Sequence, residues 1–383
     1  MAPSKVGATR AGAIPVIATS MTTEPGLASW LQLTLTPGLG PAAIRKLLKQ
    51  YGLPEKVLSL ARSELARHVP RAAVEALDSA EVAAAVTAAS EWAAQPDHAV
   101  VTLADEAYPK LLLEISDPPA LLYAHGRLDL LARPALAVVG SRNATAQGER
   151  NSESFARAFS DAGLTIVSGL ALGIDAAAHR GGLAGPGSTI AVLGTGINVT
   201  YPSRNASLAT EITRRGLLLS EFPLGTPASA HNFPRRNRLI CGLAQGCLVV
   251  EAALASGSLI TARTAAEQGR EVFAIPGSIH SPLSKGCHAL IKAGAKLVES
   301  AEDVLSELGG FQPSGHATTR STHTQSPQGD RLLAHMGFDP IDVDSLCARA
   351  GMSAEQVSSE LLRLELAGQV AVLPGGLYQR LNC

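Results

Sequence analysis

Residues 136–180 read LAVVGSRNATAQGERNSESFARAFSDAGLTIVSGLALGIDAAAHR. Two short apolar runs, 136–139 and 164–167, each end in a turn containing Gly and Ser, and each turn opens a helix-compatible stretch. Strand, turn and helix, repeated, form the pattern of a parallel sheet with crossover helices. Such sheets bind ligands outside the carboxyl ends of their strands. Here those ends carry Gly140, Ser141 and Arg142, then Ser168, Gly169 and, shortly after, Gly173. Glycines admit a ligand to the backbone, helix N-termini offer N–H groups to an anion, and Arg142 adds an always-charged fork. The stretch predicts a phosphate-binding rim.

Outward from it the alternation continues. Further strands are predicted at 189–193, 217–221, 247–251, 272–275 and 296–298, with helical stretches between them, so 135–308 fits a doubly wound domain. One rim then collects Gly140, Ser168, Gly194, Glu221, Glu251 and Pro276-Gly277. Residues 97–134 read as a connector with a strand-like end that joins this domain, making the whole unit 97–308; Pro109, Pro118 and Pro119 set turns in it.

Residues 26–96 are rich in Ala, Leu and Arg at helical spacing, a separate helical domain. Within it LTLTPGLGPAAIRKLL (33–48) reads as two helices joined by a Gly-x-Gly turn. That turn fits a helix-hairpin-helix, whose amides meet nucleic-acid phosphates beside Arg45 and Lys46, and equally fits a hairpin used for packing. Residues 1–25, interrupted by Pro3, Gly12 and Pro15, read as a flexible tail or a mis-assigned start in preference to a targeting signal. Residues 309–328, GGFQPSGHATTRSTHTQSPQ, read as a flexible linker. In 329–383, helices are predicted at 330–336, 342–350 and 354–367, with Ser353 as an N-cap, followed by a hairpin of 369–373 and 377–380. Three helices and a hairpin make a winged helix. Its third helix carries three glutamates and one arginine, so protein contact or packing stands beside DNA contact as its role.

Composition sets the outer bounds. With 46% apolar and 17% charged residues the chain is globular, and its near-neutral balance (net charge −1) confines any nucleic-acid contact to a local patch. Five cysteines, none in a CxxC pair, point to buried thiols in a reducing cytoplasm and away from disulfides or a zinc site. No apolar run approaches the ~20 residues of a membrane span.

A local patch does exist. Between Ser203 and Ile240 there are six arginines, among them Arg204, Arg235, Arg236 and Arg238, against Glu211 and Glu221. Placed on a ligand rim, this excess implies a polyanion, and Phe233 offers a face on which an unpaired base can stack. A solvated charged loop explains scattered arginines but not the Phe-Pro step directly before them. In ALASGSLIT (253–261), Ser256, Gly257 and Ser258 open a helix pointing at the same rim, suited to a phosphate as well as to simple capping. Asp175 and His179, one helical turn apart, read as a capping Asp with a local His contact in preference to a metal or acid–base pair. GxxxxGK[ST] and GxGxxG are both absent, so no nucleotide cofactor is expected. Glu251 is the best single acid, without an evident nucleophile or metal partner.

Together VVGSR (138–142), SGLALGIDAAAH (168–179), VLGTGINVTYPSRN (192–205), SEFPLGTPASAHNFPRRNRLICGLA (220–244), VVEAALASGSLITARTAAEQGREVFAIPGSI (249–279) and KGCHALIKAGA (285–295) resemble the DNA-processing protein A (DprA/Smf) family. The resemblance implies an extended Rossmann-like central domain, flanked by an N-terminal helical (SAM/helix-hairpin-helix-like) domain and a C-terminal winged helix. It also implies a homodimer that binds single-stranded DNA and helps load the RecA recombinase during natural transformation. Carried over, Arg142, Arg235, Arg236 and Arg238 match the family's basic pocket and Phe233 its stacking aromatic. After Tyr201-Pro202 many relatives carry lysine; here Ser203 stands there and Arg204 follows. All four arginines are expected to be solvated rim residues, with no catalytic residue among them. The enzymatic alternative is a phosphoribohydrolase-like hydrolase using Glu251, but such enzymes typically read GGxGT where this chain reads ALASGSLIT.

Overall fold

The computed structural model describes residues 24–309, 327–373 and 375–381. Nearly all of the expected tail and linker therefore lies outside the described residues. The central sheet has nine strands: β1 (His98–Thr102), β2 (Leu121–Gly126), β3 (Ala135–Val139), β4 (Thr165–Ser168), β5 (Thr189–Val192), β6 (Leu217–Ser220), β7 (Gly246–Val249), β8 (Glu271–Ala274) and β9 (Lys296–Leu297). Their order is β1-β2-β6-β5-β4-β3-β7-β8-β9. From β6 to β9 every pairing is parallel, whereas β1–β2 and β2–β6 are antiparallel. β3 is flanked by β4 and β7, with Ala137 level with Val167 on one side and with Cys247 on the other. The chain winds outward in opposite directions from this strand, which makes the crevice beyond β3 and β7 the switch point where such folds bind ligands.

The sequence reading places the parallel strands within two residues of their observed ends. It does not identify β1, whose HAVVT run is too short to separate from loop by periodicity alone. Strands such as β3, ALAVV, are buried on both faces, as a sheet covered by helices requires. On one face the helices Ala146–Asp161 and Ile174–Ala184 pack closely, because Gly181 has no side chain: a Cβ there would lie 2.1 Å from the Glu153 carbonyl oxygen.

The N-terminal helices share a core with the same face of the sheet, toward β5, β6 and β2, where Trp30, Leu33 and Leu47 meet Tyr123, Leu193 and Leu218. Helices Glu24–Leu35 and Pro41–Tyr51 are joined by a turn in which Gly38 has φ +78° and Leu39 is buried. Arg45 pairs with Asp117 and donates to the Pro118 carbonyl, so it serves packing between the helices and the central unit. Asp117 also forms an ion pair with Arg238 at 3.3 Å and thereby links two elements far apart in sequence.

The last segment forms helices Pro327–Met336, Val343–Ala350 and Ala354–Leu366 around a core of its own. Strands β10 (Ile341–Asp342), β11 (Val370–Leu373) and β12 (Leu377–Arg380) complete a winged helix, in the order β10-β12-β11. Ser353 caps the third helix through the Gln356 amide, and Gln356 returns the bond in a reciprocal capping box. Cys241, Cys247 and Cys287 are buried free thiols. Among the described residues no helix is long and apolar enough to cross a membrane, and no His/Cys/Asp/Glu group could hold a metal.

Candidate nucleic-acid interface

A cleft of about 870 Å³ opens at the switch point. One wall is Gly140, Ser141, Arg142 and Asn143, leaving β3; the opposite wall is Ala253 to Thr261, leaving β7. The helix Asn232–Gly242 contributes Phe233 and Arg236, and Tyr201 comes from the segment after β5. Gly140 is required where it stands, because a Cβ would fall 2.6 Å from Ile174 Cγ1 and 2.9 Å from the Glu251 carbonyl oxygen.

Arg142 is exposed and has no acidic partner among the described residues; its guanidinium carbon lies 5.5 Å from the Phe233 ring centroid. Phe233 rests on Gly194, where a Cβ would approach its ring to 2.8 Å. Tyr201 stands beside it, ring centroids 5.6 Å apart, and is 48% exposed. Cation and adjacent aromatic faces in one cleft suit a phosphate and an unpaired base. Sequence reasoning used Tyr201-Pro202 only as a landmark; an aromatic immediately after the GTGINVT turn was the available signal.

Opposite Arg142, Ser256 caps the helix Gly257–Glu267 by accepting from the Ser258 amide, and the two serine hydroxyls lie 2.6 Å apart. The capping reading of this turn therefore holds, and the helix N-terminus still faces the cleft. Gly257 is exposed with nothing within 4 Å of its missing Cβ, so a ligand can approach the backbone there.

The loop after β4 behaves otherwise than expected. Four of its amides are already occupied: Gly169 and Ala171 N–H donate to the Asp175 carboxylate, Leu170 N–H donates to His179 Nε2, and Ile174 N–H donates to the Ser141 carbonyl. Ser168 is buried and donates to the Val138 carbonyl. Gly173, at φ +71°, lets the β3 turn pass, since a Cβ would sit 2.4 Å from the Ser141 carbonyl oxygen. Ser168, Gly169 and Gly173 thus brace the rim and do not line the cleft. Asp175 caps the turn that opens its helix, while His179 bonds Leu170 and Thr189 and makes no hydrogen bond or ion pair with Asp175 among the described residues.

His179 is fully enclosed. Its Nε2 accepts from Leu170, so Nδ1 carries the proton and donates to Thr189 Oγ1, whose hydroxyl donates to the Ile166 carbonyl. Burial, aided by the Arg236 charge, lowers its pKa from 6.5 to about 3. The unfolded chain takes up a proton near pH 6.5 that the folded chain refuses until about pH 3, so stability falls as pH drops through that window. The slope from this group approaches about 1.4 kcal/mol per pH unit. Melting temperatures of parent and His179→Asn across that range test this: the variant has the shallower dependence, and equal slopes would acquit the imidazole.

The arginines divide. Arg236 is only 4% exposed, which corrects the expectation of a solvated rim residue. Its Nη1 donates to the Gly169 carbonyl at 2.5 Å and to the Val192 carbonyl, holding the turns after β4 and β5 together beneath the cleft. Burial lowers its pKa to about 10 against the opposing pull of Asp175, so it is cationic at neutral pH. Arg238 is also not a free rim cation: it pairs with buried Glu221 and with Asp117. Arg235 is exposed and lies over the Phe222 ring, 5.2 Å from its centroid, outside the cleft lining. Arg204 is exposed without an acidic partner among the described residues and also lies outside the lining, three residues beyond Tyr201. The helical spacing of 235, 236 and 238 sends neighbouring side chains in different directions, which a count of arginines does not register.

Glu251 lies beyond the end of β7 and is committed. Its carboxylate accepts from the Thr145 hydroxyl at 2.6 Å and amide at 2.9 Å, and packs where Gly148 leaves room. Burial raises its pKa, with both Thr145 bonds opposing. It anchors the start of the helix Ala146–Asp161 and is not among the residues lining the cleft.

A family model for DNA recombination-mediator protein A matches residues 99–309, and one for the DprA winged helix domain matches 316–376. Protein Smf of Escherichia coli K12 is 47% identical over 298 residues, 76% of this chain and 79% of that protein. Protein Smf of Synechocystis is 34% identical across 92% of this chain and 98% of its own length. The X-ray structure of DNA processing protein A from Streptococcus pneumoniae superposes with a TM-score of 0.62 at 40% identity, covering 76% of this chain and 99% of that one. The Helicobacter pylori DNA processing protein A, described for its unique single-stranded DNA binding mode, superposes with a TM-score of 0.50 at 30% identity, covering 55% and 95%. The chain belongs to the DNA recombination-mediator protein A (DprA/Smf) family.

Proposed function

We propose that this chain is a non-catalytic, single-stranded DNA-binding mediator of recombination. In this reading it acts in the cytoplasm as a homodimer, protects incoming single strands during natural transformation and helps load the RecA recombinase. The observation that carries DNA binding is the make-up of the cleft: unpaired Arg142, the Tyr201–Phe233 ring pair and the open helix start at Gly257 face one space. Arg142 and the helix amides suit phosphates, while the rings suit bases that are out of a duplex. Few of these groups are placed to read base edges, so sequence preference is weak. The Helicobacter relative supports the class of partner. The RecA, dimer and transformation roles rest on family membership. Against the enzymatic alternative, Glu251 accepts from Thr145 through both oxygens and is not among the residues lining the cleft.

Titration of labelled single- and double-stranded oligonucleotides at several salt concentrations tests the reading. Tight single-strand binding, with little dependence on sequence and a steep loss with salt, is expected. Equal affinity for duplex at moderate salt would count against the cleft, and steady release of free base from nucleoside monophosphates would overturn the non-catalytic assignment.

A further inference from the structure

A second concave basic site lies at the other end of the sheet. It is a pocket of about 260 Å³ lined by Arg127, Arg214 and Arg215 together with Leu183, Pro186 and Ser188, and it sits by the amino-terminal ends of β5 and β6. Two of these arginines have structural work. Arg127 pairs with Asp129 and donates to the Arg215 carbonyl; Arg215 pairs with Glu211 and donates to the Leu183 carbonyl. Arg214 does neither. It is exposed, with no ion pair or hydrogen bond among the described residues. Both Arg214 and Arg215 stand in the last turn of their helix, where cations are favoured, and of the two Arg215 is the one bound to protein groups. Arg214 thus presents an exposed guanidinium, without a partner among the described residues, in the lining of a cationic pocket.

The helix that ends there begins beside the cleft. Tyr201, in the cleft wall, is followed by exposed Ser203 and Arg204, and then by the helix Ala206–Arg215. Ser207, Thr210 and Arg214 are all exposed and recur at helical spacing, so one solvent-facing stripe runs from Arg204 to Arg214. Its length is roughly 15 Å. The stripe offers the Ser207 hydroxyl, and Thr210 Oγ1 as an acceptor since its proton goes to the Ala206 carbonyl, between two arginines unpaired among the described residues; its one acidic neighbour, Glu211, is held by Arg215.

We infer that a single strand leaving the cleft follows this helix and places a phosphodiester in the arginine pocket at the opposite end of the sheet. This rests on the cleft binding single strands, and it extends the footprint beyond the cleft to a second phosphate site. Guanidinium forks match phosphate oxygens, and a hydroxyl-lined stripe tolerates any base sequence.

Full-length parent, Arg214→Ala, Arg214→Glu and Arg142→Ala are each titrated with oligothymidylates of about 6 and about 20 nucleotides, the first long enough only for the cleft. Expected is parental binding of the short strand by both Arg214 variants. Their affinity for the long strand falls severalfold, more for Glu, and in Arg214→Ala its log–log salt slope drops by about 0.7. Arg142→Ala weakens both lengths. If Arg214→Glu binds the long strand like the parent, the second site is wrong while the cleft stands. If the parent binds neither length, both readings fall.

Discussion

Arg236→Ala unfolds far more easily than the parent, by roughly 3–5 kcal/mol, the loss expected when one partner of a buried charged network is removed. The guanidinium bonds two carbonyls from different strand ends, and a Cβ on Gly169 would collide with it at 2.5 Å, so the backbone is closed around it. Truncation leaves the Gly169 and Val192 carbonyls without this donor and Asp175 without its nearby positive charge. Urea denaturation of both proteins measures the difference. Arg142→Ala is the control: its side chain is exposed and its contact over Phe233 is worth about 0.5–1 kcal/mol, so its midpoint stays near the parent's. A parental midpoint for Arg236→Ala, with weakened DNA binding, would move this side chain from scaffold to ligand contact.

Phe233→Ala costs roughly 1–3 kcal/mol of single-strand affinity while leaving the salt dependence nearly unchanged, since stacking releases no counterions. Arg142→Ala lowers the log–log salt slope by about 0.7 and does so alike for different sequences. The two residues touch, the guanidinium standing 5.5 Å from the ring, so their effects separate only by salt titration. If Phe233→Ala flattens the salt slope as much as Arg142→Ala, the ring works by holding the arginine and not by stacking a base. Phe233→Trp keeps an aromatic face and retains most of the affinity if stacking is the mechanism.

What the sequence determined by itself is short-range. Alternating apolar runs and Gly-Ser turns laid out the parallel strands and the rim at Gly140 and Ser256–Ser258. In the last segment Ser353, read as an N-cap, marked the start of the winged helix's third helix. These signals are legible because capping, strand burial and turn formation involve residues a few positions apart. The winding direction on either side of β3, and hence the location of the cleft, is a matter of which strands pair, and only the tertiary structure decided it. So too with the charges. Arg235, Arg236 and Arg238 lie within four residues, yet a helix turns roughly 100° per residue. One points over Phe222, one goes under the cleft to Gly169 and Val192, and one turns to Glu221 and Asp117. The amides of Gly169, Leu170 and Ala171, in the loop read as offering N–H groups to phosphate, are claimed by Asp175 and His179 on the following helix. Whether a cation or an amide is free for a ligand depends on which distant carbonyls and carboxylates the fold brings within about 3 Å of it, and local spacing carries no record of them.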